Sequence, residues 1–145
     1  MSGATSGLKV FLANTYTLYL KTQNYHWNVI GPHFYSLHSL FEEQYKELAS
    51  AVDEIAERIR ALGDMTPGSL EAFVKLKTIS EAKTRIDDVS MIKDLIESHE
   101  IICKHVKLIL SQAQDEQDEV TQDLLIGRLS VHEKTLWILR AFVVS

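Results

Sequence analysis

The feature that most constrains the fold is a stretch that follows Gly31-Pro32 and reaches Gly63 without another glycine or proline. Its apolar residues recur close to the helical period, which predicts one long amphipathic helix. They are Leu37, Leu40, Phe41, Leu48, Val52, Ile55, Ile59 and Leu62. Glycine often follows a helix end and proline suits a first turn. The dipeptide therefore predicts that one helix ends near Val29 and the next starts near His33.

Three further helices and one short one are predicted around this stretch. The first helix is expected to follow a short tail over residues 1–6, with Thr5 or Ser6 as its N-cap. A third starts at Asp87 or Asp88 and ends in the polar run 114–118, after which a fourth begins. The long link between the second and third helices contains a turn signal and Ser69, which can cap a short helix over Leu70–Leu76. Short outer links and one long central link predict a four-helix bundle with a single crossover.

Composition excludes several classes of protein. The 145 residues predict a single domain over 1–145, and 46% hydrophobic with 24% charged residues is typical of a soluble globular chain. No apolar run approaches the ~20 residues of a membrane span, and the N-terminus lacks the pattern of a signal peptide. We therefore expect a cytoplasmic protein with no membrane partner. The single Cys103 has no disulfide partner within the chain and is predicted to be an inert core residue.

Metal-ligand residue types recur at helical spacing on the long helix. His38 with Glu42, and Asp53 with Glu57, are i,i+4 pairs, so the members of each pair share one helix face. His26 lies as far before the turn near residue 32 as His38 lies after it. We therefore expect the two histidines at the same level of an antiparallel helical hairpin.

The two pairs on the long helix are too far apart to share a metal within one chain. Fifteen residues separate His38 from Asp53, which at ~1.5 Å per residue is roughly 22 Å. Both pairs nevertheless point to one side, because fifteen steps of ~100° return to within about 60° of the same face. Packing against a second copy across a two-fold axis near residue 47 or 48 would bring His38 of one chain to Glu57 of the other. Each of two equivalent sites would then hold His26 and His38 from one subunit with Asp53 and Glu57 from its mate.

A metal site inside one subunit is the rival arrangement, because His99 and His132 both fall on buried stripes. Such a site needs two Glu-x-x-His motifs. None of the six histidines follows a glutamate by three positions, which excludes this arrangement; the residues found there are Gln23, Ile30, Tyr35, Ile96, Ile102 and Leu129. His99 and His132 are therefore interpreted as buried hydrogen-bonding residues.

The run LKTQNYHWNVIGPHFYSLHSLFEEQY, continued by VDEIAERIRALG, resembles the Dps family of ferritin-like proteins, and DEVTQDLLIGRLSVHEKTLWILRAF extends the resemblance over nearly the whole chain. The resemblance implies an all-α, ferritin-like four-helix bundle with one long crossover carrying a short extra helix. In that family the spacing of His26, His38, Asp53 and Glu57 marks an intersubunit ferroxidase centre. The family's further acidic position, usually Asp, is Glu42 here, and it implies a second, weaker iron position.

The resemblance also implies a function: Fe²⁺ is oxidised, preferentially by hydrogen peroxide or else by O₂, and ferric mineral is stored inside a hollow dodecameric shell that protects against oxidative stress. Iron in non-haem form is the expected metal, although two imidazoles with carboxylates also suit Zn²⁺. In the family, acidic residues near the start of the fourth helix line a pore for Fe²⁺, and Asp118 and Asp123 are the candidates here.

Two other functions remain open. Some members of the family compact DNA through basic tails, but MSGATSGLKV holds one Lys and no Arg and the formal charge is −5, so DNA binding is the weaker alternative. A metal-free structural bundle is the third, and it leaves the register of the four ligand-type residues unexplained.

Overall fold

The computed structural model describes residues 2–144, which form five helices and no strand. The helices are α1 (Gly3–Asn28), α2 (Phe34–Ala61), α3 (Leu70–Leu76), α4 (Asp88–Asp115) and α5 (Glu119–Ala141). The predicted all-α fold is confirmed. None of the helices within the described range combines the length and the apolarity that a membrane crossing requires.

The bundle consists of two helical hairpins joined by the long crossover. α1 packs against α2, α4 packs against α5, and the hairpins meet through α1 on α4 and α2 on α5. The crossover over residues 62–87 carries α3, which packs on α1. Phe11, Tyr25 and Ile55 are among the fully buried side chains at the centre. Each large apolar side chain buried there stabilises the fold by about 1.5–3 kcal/mol.

Most helix ends lie where the sequence predicts them. Gly31 has φ of +121°, a region that side chains disfavour, and His33 is the N-cap residue of α2. Ser69 Oγ accepts from Ala72 N at the start of α3, and Asp87 accepts from Ser90 N at the start of α4. Local capping chemistry therefore sets these boundaries.

The start of α1 differs from the prediction. Ser2, and not Thr5 or Ser6, is the N-cap, since its Oγ accepts from Thr5 N at 3.1 Å. The predicted tail over residues 1–6 is helical from Gly3 onward, and Met1 lies outside the described residues. Ala4 and Leu8 are buried, which explains why the helix extends towards the N-terminus past the cap that the sequence pattern favours.

A buried polar network ties α1 to α4 and to the crossover. Lys21 Nζ lies 3.1 Å from the Asp94 carboxylate and donates to Ser98 Oγ at 2.8 Å and Ser80 Oγ at 3.1 Å. The Tyr25 hydroxyl donates to Asp94 at 2.6 Å. Burial lowers the pKa of Lys21, against the opposing pull of Asp94, and burial also raises the pKa of Tyr25. The network pairs the charges of Lys21 and Asp94, each of which would otherwise be buried without a partner.

Candidate metal centre

His26 at the end of α1 and His38 in the second turn of α2 face each other across the intervening turn. Nδ1 of His26 donates to the main-chain oxygen of His38 at 2.7 Å, and Nδ1 of His38 donates to the main-chain oxygen of His26 at 2.7 Å. The two rings stack with centroids 3.9 Å apart and 14° between their planes. The predicted register of the two histidines is confirmed.

These hydrogen bonds define the tautomer of both rings. A carbonyl oxygen can only accept, so each Nδ1 carries the proton and each Nε2 keeps a free lone pair. Metal-binding histidines generally have this arrangement, in which one ring nitrogen donates to a backbone oxygen and the other is left for the metal. His26 and His38 therefore form a pair of preoriented imidazoles whose Nε2 atoms could bind a metal ion.

Aromatic neighbours restrict both rings further. Phe34 stacks on His38 with centroids 5.0 Å apart, and Tyr45 meets His26 edge-on at 5.2 Å. His26 is buried and His38 half-buried. Because the rings are already ordered, binding a cation requires little further loss of side-chain freedom.

Glu42 lies one turn beyond His38 on the same face of α2. Its carboxylate pairs with Lys46 at 3.3 Å, and both side chains are solvent-exposed. An exposed pair of this kind contributes no more than about 1 kcal/mol. A cation beside the histidines could therefore displace Lys46 from this carboxylate at a small cost in free energy.

Asp53 and Glu57 are exposed on α2, one turn apart, and the structure does not bring them to the histidines. α2 is an unbroken helix, so roughly 22 Å of helix separates His38 from Asp53. Within residues 2–144 no three His, Cys, Asp or Glu side chains cluster closely enough to hold a metal ion. Within one chain the predicted ligands therefore lie in two separate groups, termed here the imidazole half-site (His26 and His38) and the carboxylate half-site (Asp53 and Glu57) of the predicted centre.

Large apolar side chains around the α1–α2 turn are uncovered in the single chain. Trp27 is 60% exposed and Tyr35 is 81% exposed, and Ile30 and Phe34 are also exposed. At the middle of α2, the small side chains of Ala49 and Ser50 face solvent. The exposed apolar patch lies next to the histidines, and the helix surface with small side chains lies next to Asp53. Both are features of a surface that a partner covers.

His99 and His132 form a second, different histidine pair inside the bundle. They are 2% and 1% exposed, and their Nδ1 atoms share a hydrogen bond of 2.9 Å. Burial lowers the pKa of His99 to about 3, and the positive charges of Arg128 and Lys21 act in the same direction. The pKa of His132 is also well below its usual value, through burial and then the neighbouring His99 and Arg128. The predicted buried, hydrogen-bonded role of this pair is confirmed.

Arg128 and Glu47 form an ion pair beside these histidines, on α5 and α2. The guanidinium is buried and binds both carboxylate oxygens, with Nη2 3.0 Å from Oε1. This pair was not predicted from the sequence. The signal available in the sequence was a charged residue, Arg128, on the apolar stripe of α5 and one turn before His132.

The structure also describes three other residues singled out in the sequence: Asp118, Asp123 and Cys103. Asp118 is the N-cap of α5, accepting from Thr121 N, and its carboxylate pairs with Arg58 at 3.0 Å. The negative charge of Asp118 is therefore largely neutralised by Arg58, whereas Asp123 is exposed. Cys103 is buried as predicted, and burial raises the pKa of its thiol, which opposes the reactive thiolate form.

Comparisons with known sequences agree with this architecture. A family model described as a ferritin-like domain matches residues 6–145. An uncharacterized low temperature-induced protein of Nostoc sp. is 39% identical over 143 residues, covering 97% of this chain and 80% of the Nostoc protein. DNA protection during starvation protein 2 of Bacillus anthracis is 37% identical over 132 residues, covering 91% of this chain and 90% of that protein.

Solved structures extend the agreement to three dimensions. Dps from Staphylococcus aureus superposes with a TM-score of 0.97 at 31% identity, covering 100% of this chain and 99% of that chain. Dps from Vibrio cholerae, described as a member of a broad superfamily of ferritin-like diiron-carboxylate proteins, superposes with a TM-score of 0.94 at 33% identity, covering 97% and 89%. On this full-length likeness in sequence and fold, the chain belongs to the Dps family of ferritin-like proteins.

Proposed function

We propose that this protein is a ferroxidase that oxidises Fe²⁺ at sites formed between two subunits and stores the ferric product. The observation that carries the proposal is the His26–His38 pair, whose two Nε2 lone pairs are preoriented by reciprocal Nδ1 hydrogen bonds. Membership of the ferritin-like family implies iron binding, and within it these residues are the ones suited to a borderline cation such as Fe²⁺.

The remaining ligands come from Asp53 and Glu57 of a second copy of the chain. An antiparallel pairing of two α2 helices about an axis near their middle brings each carboxylate half-site to the histidine half-site of the other subunit. The exposed Ala49 and Ser50 permit close approach there, and the exposed Trp27 and Tyr35 would be covered. The same contact generates two equivalent centres in each dimer, and twelve such subunits would form the storage shell.

The ligand set suits oxidation. Two neutral imidazoles and two carboxylates give the ligand set a charge of about −2, and negative ligand charge lowers the cost of oxidising Fe²⁺ to Fe³⁺. Glu57 is placed to bridge towards a second, weaker iron position near Glu42. Hydrogen peroxide accepts two electrons, one from each of two Fe²⁺ ions, and so forms water and no hydroxyl radical. A protein with this role is expected in the cytoplasm.

Subunit mixing tests both the residues and the intersubunit geometry. The His38→Ala and Asp53→Ala chains are each expressed and purified alone, and a third sample is made by co-expressing the two. All three samples are assayed for ferric absorbance after anaerobic Fe²⁺ loading and a peroxide pulse. Each parent should be inactive. In a mixed dimer one centre carries both substitutions and the other carries neither, so random pairing restores about a quarter of the wild-type centres.

The matched control is His33→Ala mixed with Glu54→Ala, an exposed histidine and an exposed carboxylate that are not proposed as ligands. This mixture and both of its parents should oxidise Fe²⁺ at the wild-type rate. Inactivity of the His38→Ala/Asp53→Ala mixture would contradict a shared centre, and wild-type activity in either parent would remove that residue from the site.

DNA binding is the second candidate, because the Bacillus anthracis relative is called a DNA protection protein. The formal charge of −5 opposes it, since a shell of such subunits repels a polyanion. A gel shift at low salt separates the two candidates: retention of DNA would support compaction, and free migration would leave iron storage alone.

A further inference from the structure

A continuous series of aromatic rings leads away from the histidine pair. The centroids of His26 and Tyr45 are 5.2 Å apart, those of Tyr45 and Tyr19 are 6.0 Å apart, and those of Tyr19 and Tyr16 are 5.8 Å apart. Each contact is edge-on and within the usual range for interacting rings. Three tyrosines in succession therefore connect His26 to a point ten residues earlier on α1, roughly 15 Å away.

The proposed iron chemistry creates a use for such a series. Glu42, the proposed ligand of the second and weaker iron position, is also paired with Lys46, which competes with iron for its carboxylate. A centre that meets peroxide with one iron bound can supply one electron from the metal. The second electron must come from elsewhere, or a hydroxyl radical is released beside the ligand histidines.

We infer that Tyr45, Tyr19 and Tyr16 form an electron relay that supplies this second electron; the inference rests on the proposed ferroxidase function. Fe²⁺ gives one electron and becomes Fe³⁺, and the Tyr45 phenol gives one electron and releases its hydroxyl proton to water. Peroxide accepts both electrons and two protons and leaves as two molecules of water. The sum is Fe²⁺ + TyrOH + H₂O₂ + H⁺ giving Fe³⁺ + TyrO• + 2 H₂O.

The oxidised state then moves outward along the relay. Electron transfer from Tyr19 to Tyr45, and from Tyr16 to Tyr19, crosses rings in contact and removes the radical from the ligands. All three tyrosines are half-buried, so water can accept and return their protons. The next Fe²⁺ to enter the centre reduces the tyrosyl radical, TyrO• + e⁻ + H⁺ giving TyrOH. Two Fe²⁺ ions are consumed for each peroxide, although only one is bound at a time.

Other tyrosines of the chain provide contrasts. The Tyr25 hydroxyl is held by Asp94 in the core and faces α4, away from this series. Tyr35 is 81% exposed in the single chain and would lie in the proposed dimer contact, and among the described residues its ring pairs with neither His26 nor Tyr45. Tyr35→Phe is therefore the control for loss of a phenol near the centre, whereas Tyr45→Phe keeps the ring against His26 and removes only the group that can lose a proton.

The test loads the assembled protein anaerobically with fewer Fe²⁺ ions than predicted centres, adds peroxide and freezes the mixture within milliseconds. Electron paramagnetic resonance measures the tyrosyl radical, ferric absorbance measures iron oxidation, and peptide mass spectrometry locates oxidised side chains. Wild type and Tyr35→Phe should give the same radical yield. Tyr45→Phe should lower that yield several-fold and increase oxidation of His26 and His38.

Tyr19→Phe provides a second variant further from the iron. It should keep the radical but hold it at Tyr45, so that oxidation products shift from Tyr16 to Tyr45. Ferric product without any tyrosyl radical in wild type would overturn the relay and leave the ferroxidase intact, as would a wild-type radical yield in Tyr45→Phe. No ferric product in wild type would overturn the ferroxidase and the relay with it.

Discussion

The two histidine pairs of this bundle have the same residue types and opposite surroundings. In the His26–His38 pair each Nδ1 is used by a backbone oxygen, so both Nε2 atoms keep lone pairs. In the His99–His132 pair one Nδ1 donates to the other inside the core, beside Arg128, and both Nε2 atoms are buried without a hydrogen-bond partner among residues 2–144. The first pair keeps two matching Nε2 lone pairs, whereas in the second pair one Nε2 carries the proton and the positive charges of Arg128 and Lys21 disfavour a cation.

The group that each Nδ1 binds therefore decides the tautomer, and with it what a histidine pair can present to a cation. Two backbone carbonyls keep the proton on both Nδ1 atoms and leave two Nε2 lone pairs, while a shared Nδ1–Nδ1 hydrogen bond leaves one lone pair and one N–H at the two Nε2 atoms. Substitutions in the two pairs should therefore have opposite consequences, one for oxidation and the other for stability.

The largest expected effect is on catalysis, from His38→Ala. Removing one of the two proposed imidazole ligands should slow peroxide-dependent Fe²⁺ oxidation by more than about 100-fold, because even indirect changes around metal ligands weaken sites by 10–100-fold. The free energy of unfolding should change little, since His38 is only half-buried. Stopped-flow ferric absorbance measures the rate; a rate within a few-fold of wild type would mean that this imidazole is not a ligand.

His132→Ala should show the reverse. It opens a cavity and leaves His99 buried without its hydrogen bond, which together lower the free energy of unfolding by about 3 kcal/mol. Urea denaturation at a fixed protein concentration measures the loss, with exposed His33→Ala as the control. Oxidation per folded centre should equal wild type, and a selective loss of oxidation with stability retained would assign His132 to the iron chemistry.

Acid should destabilise the fold through the same core pair. His99 has a pKa of about 3 when folded against 6.5 when unfolded, so between these values the unfolded chain binds the extra proton. Stability is therefore fully present above about pH 6.5 and falls as the pH drops towards 3, by about 1.4 kcal/mol per pH unit for each imidazole so depressed.

The matched variant for this pH dependence is His99→Leu/His132→Leu, which keeps an apolar filling and removes both titrating groups. Its unfolding free energy should fall less steeply than that of wild type between about pH 7 and about pH 4. Equal slopes would mean that the carboxylates of the chain, and not this pair, determine its acid sensitivity.

The smallest effect is expected at Lys46→Ala. Releasing Glu42 from an exposed pair worth about 1 kcal/mol at most should tighten the second iron position by no more than about fivefold. Anaerobic Fe²⁺ titration measures both positions, and Lys104→Ala, at an exposed lysine on α4, is the control. A change confined to the first, tighter position would instead associate Glu42 with the histidines directly.

Much of the fold could be predicted because its signals are local. Gly31-Pro32 marks the turn between α1 and α2. Because His26 and His38 are equally far from residue 32 in the sequence, they lie opposite each other in the hairpin. Ser69 and Asp87 cap the helices that they were predicted to cap. The first cap was missed because Ser2, Thr5 and Ser6 are all suitable residue types, and only burial of the first turn distinguishes them.

Long-range polar pairs could not be predicted in the same way. Lys21 is an ordinary surface residue type, and its partner Asp94 lies on another helix, so no local pattern links them. The same holds for Arg128 and Glu47. Asp53 and Glu57 were predicted for a different reason: they are an i,i+4 pair on the side of α2 that carries His38, and roughly 22 Å of helix separates them from it, so a shared centre is expected only with a second copy.

The straightness of α2 has a mechanical consequence. One continuous helix carries His38 near its start and Asp53 and Glu57 near its end. The number of residues between them therefore fixes the distance and the angle between the two half-sites. One residue inserted between them would turn one half-site by about 100° and displace it by about 1.5 Å relative to the other. In a two-fold dimer the same error would misalign both centres at once, although each ligand would be present and each helix intact.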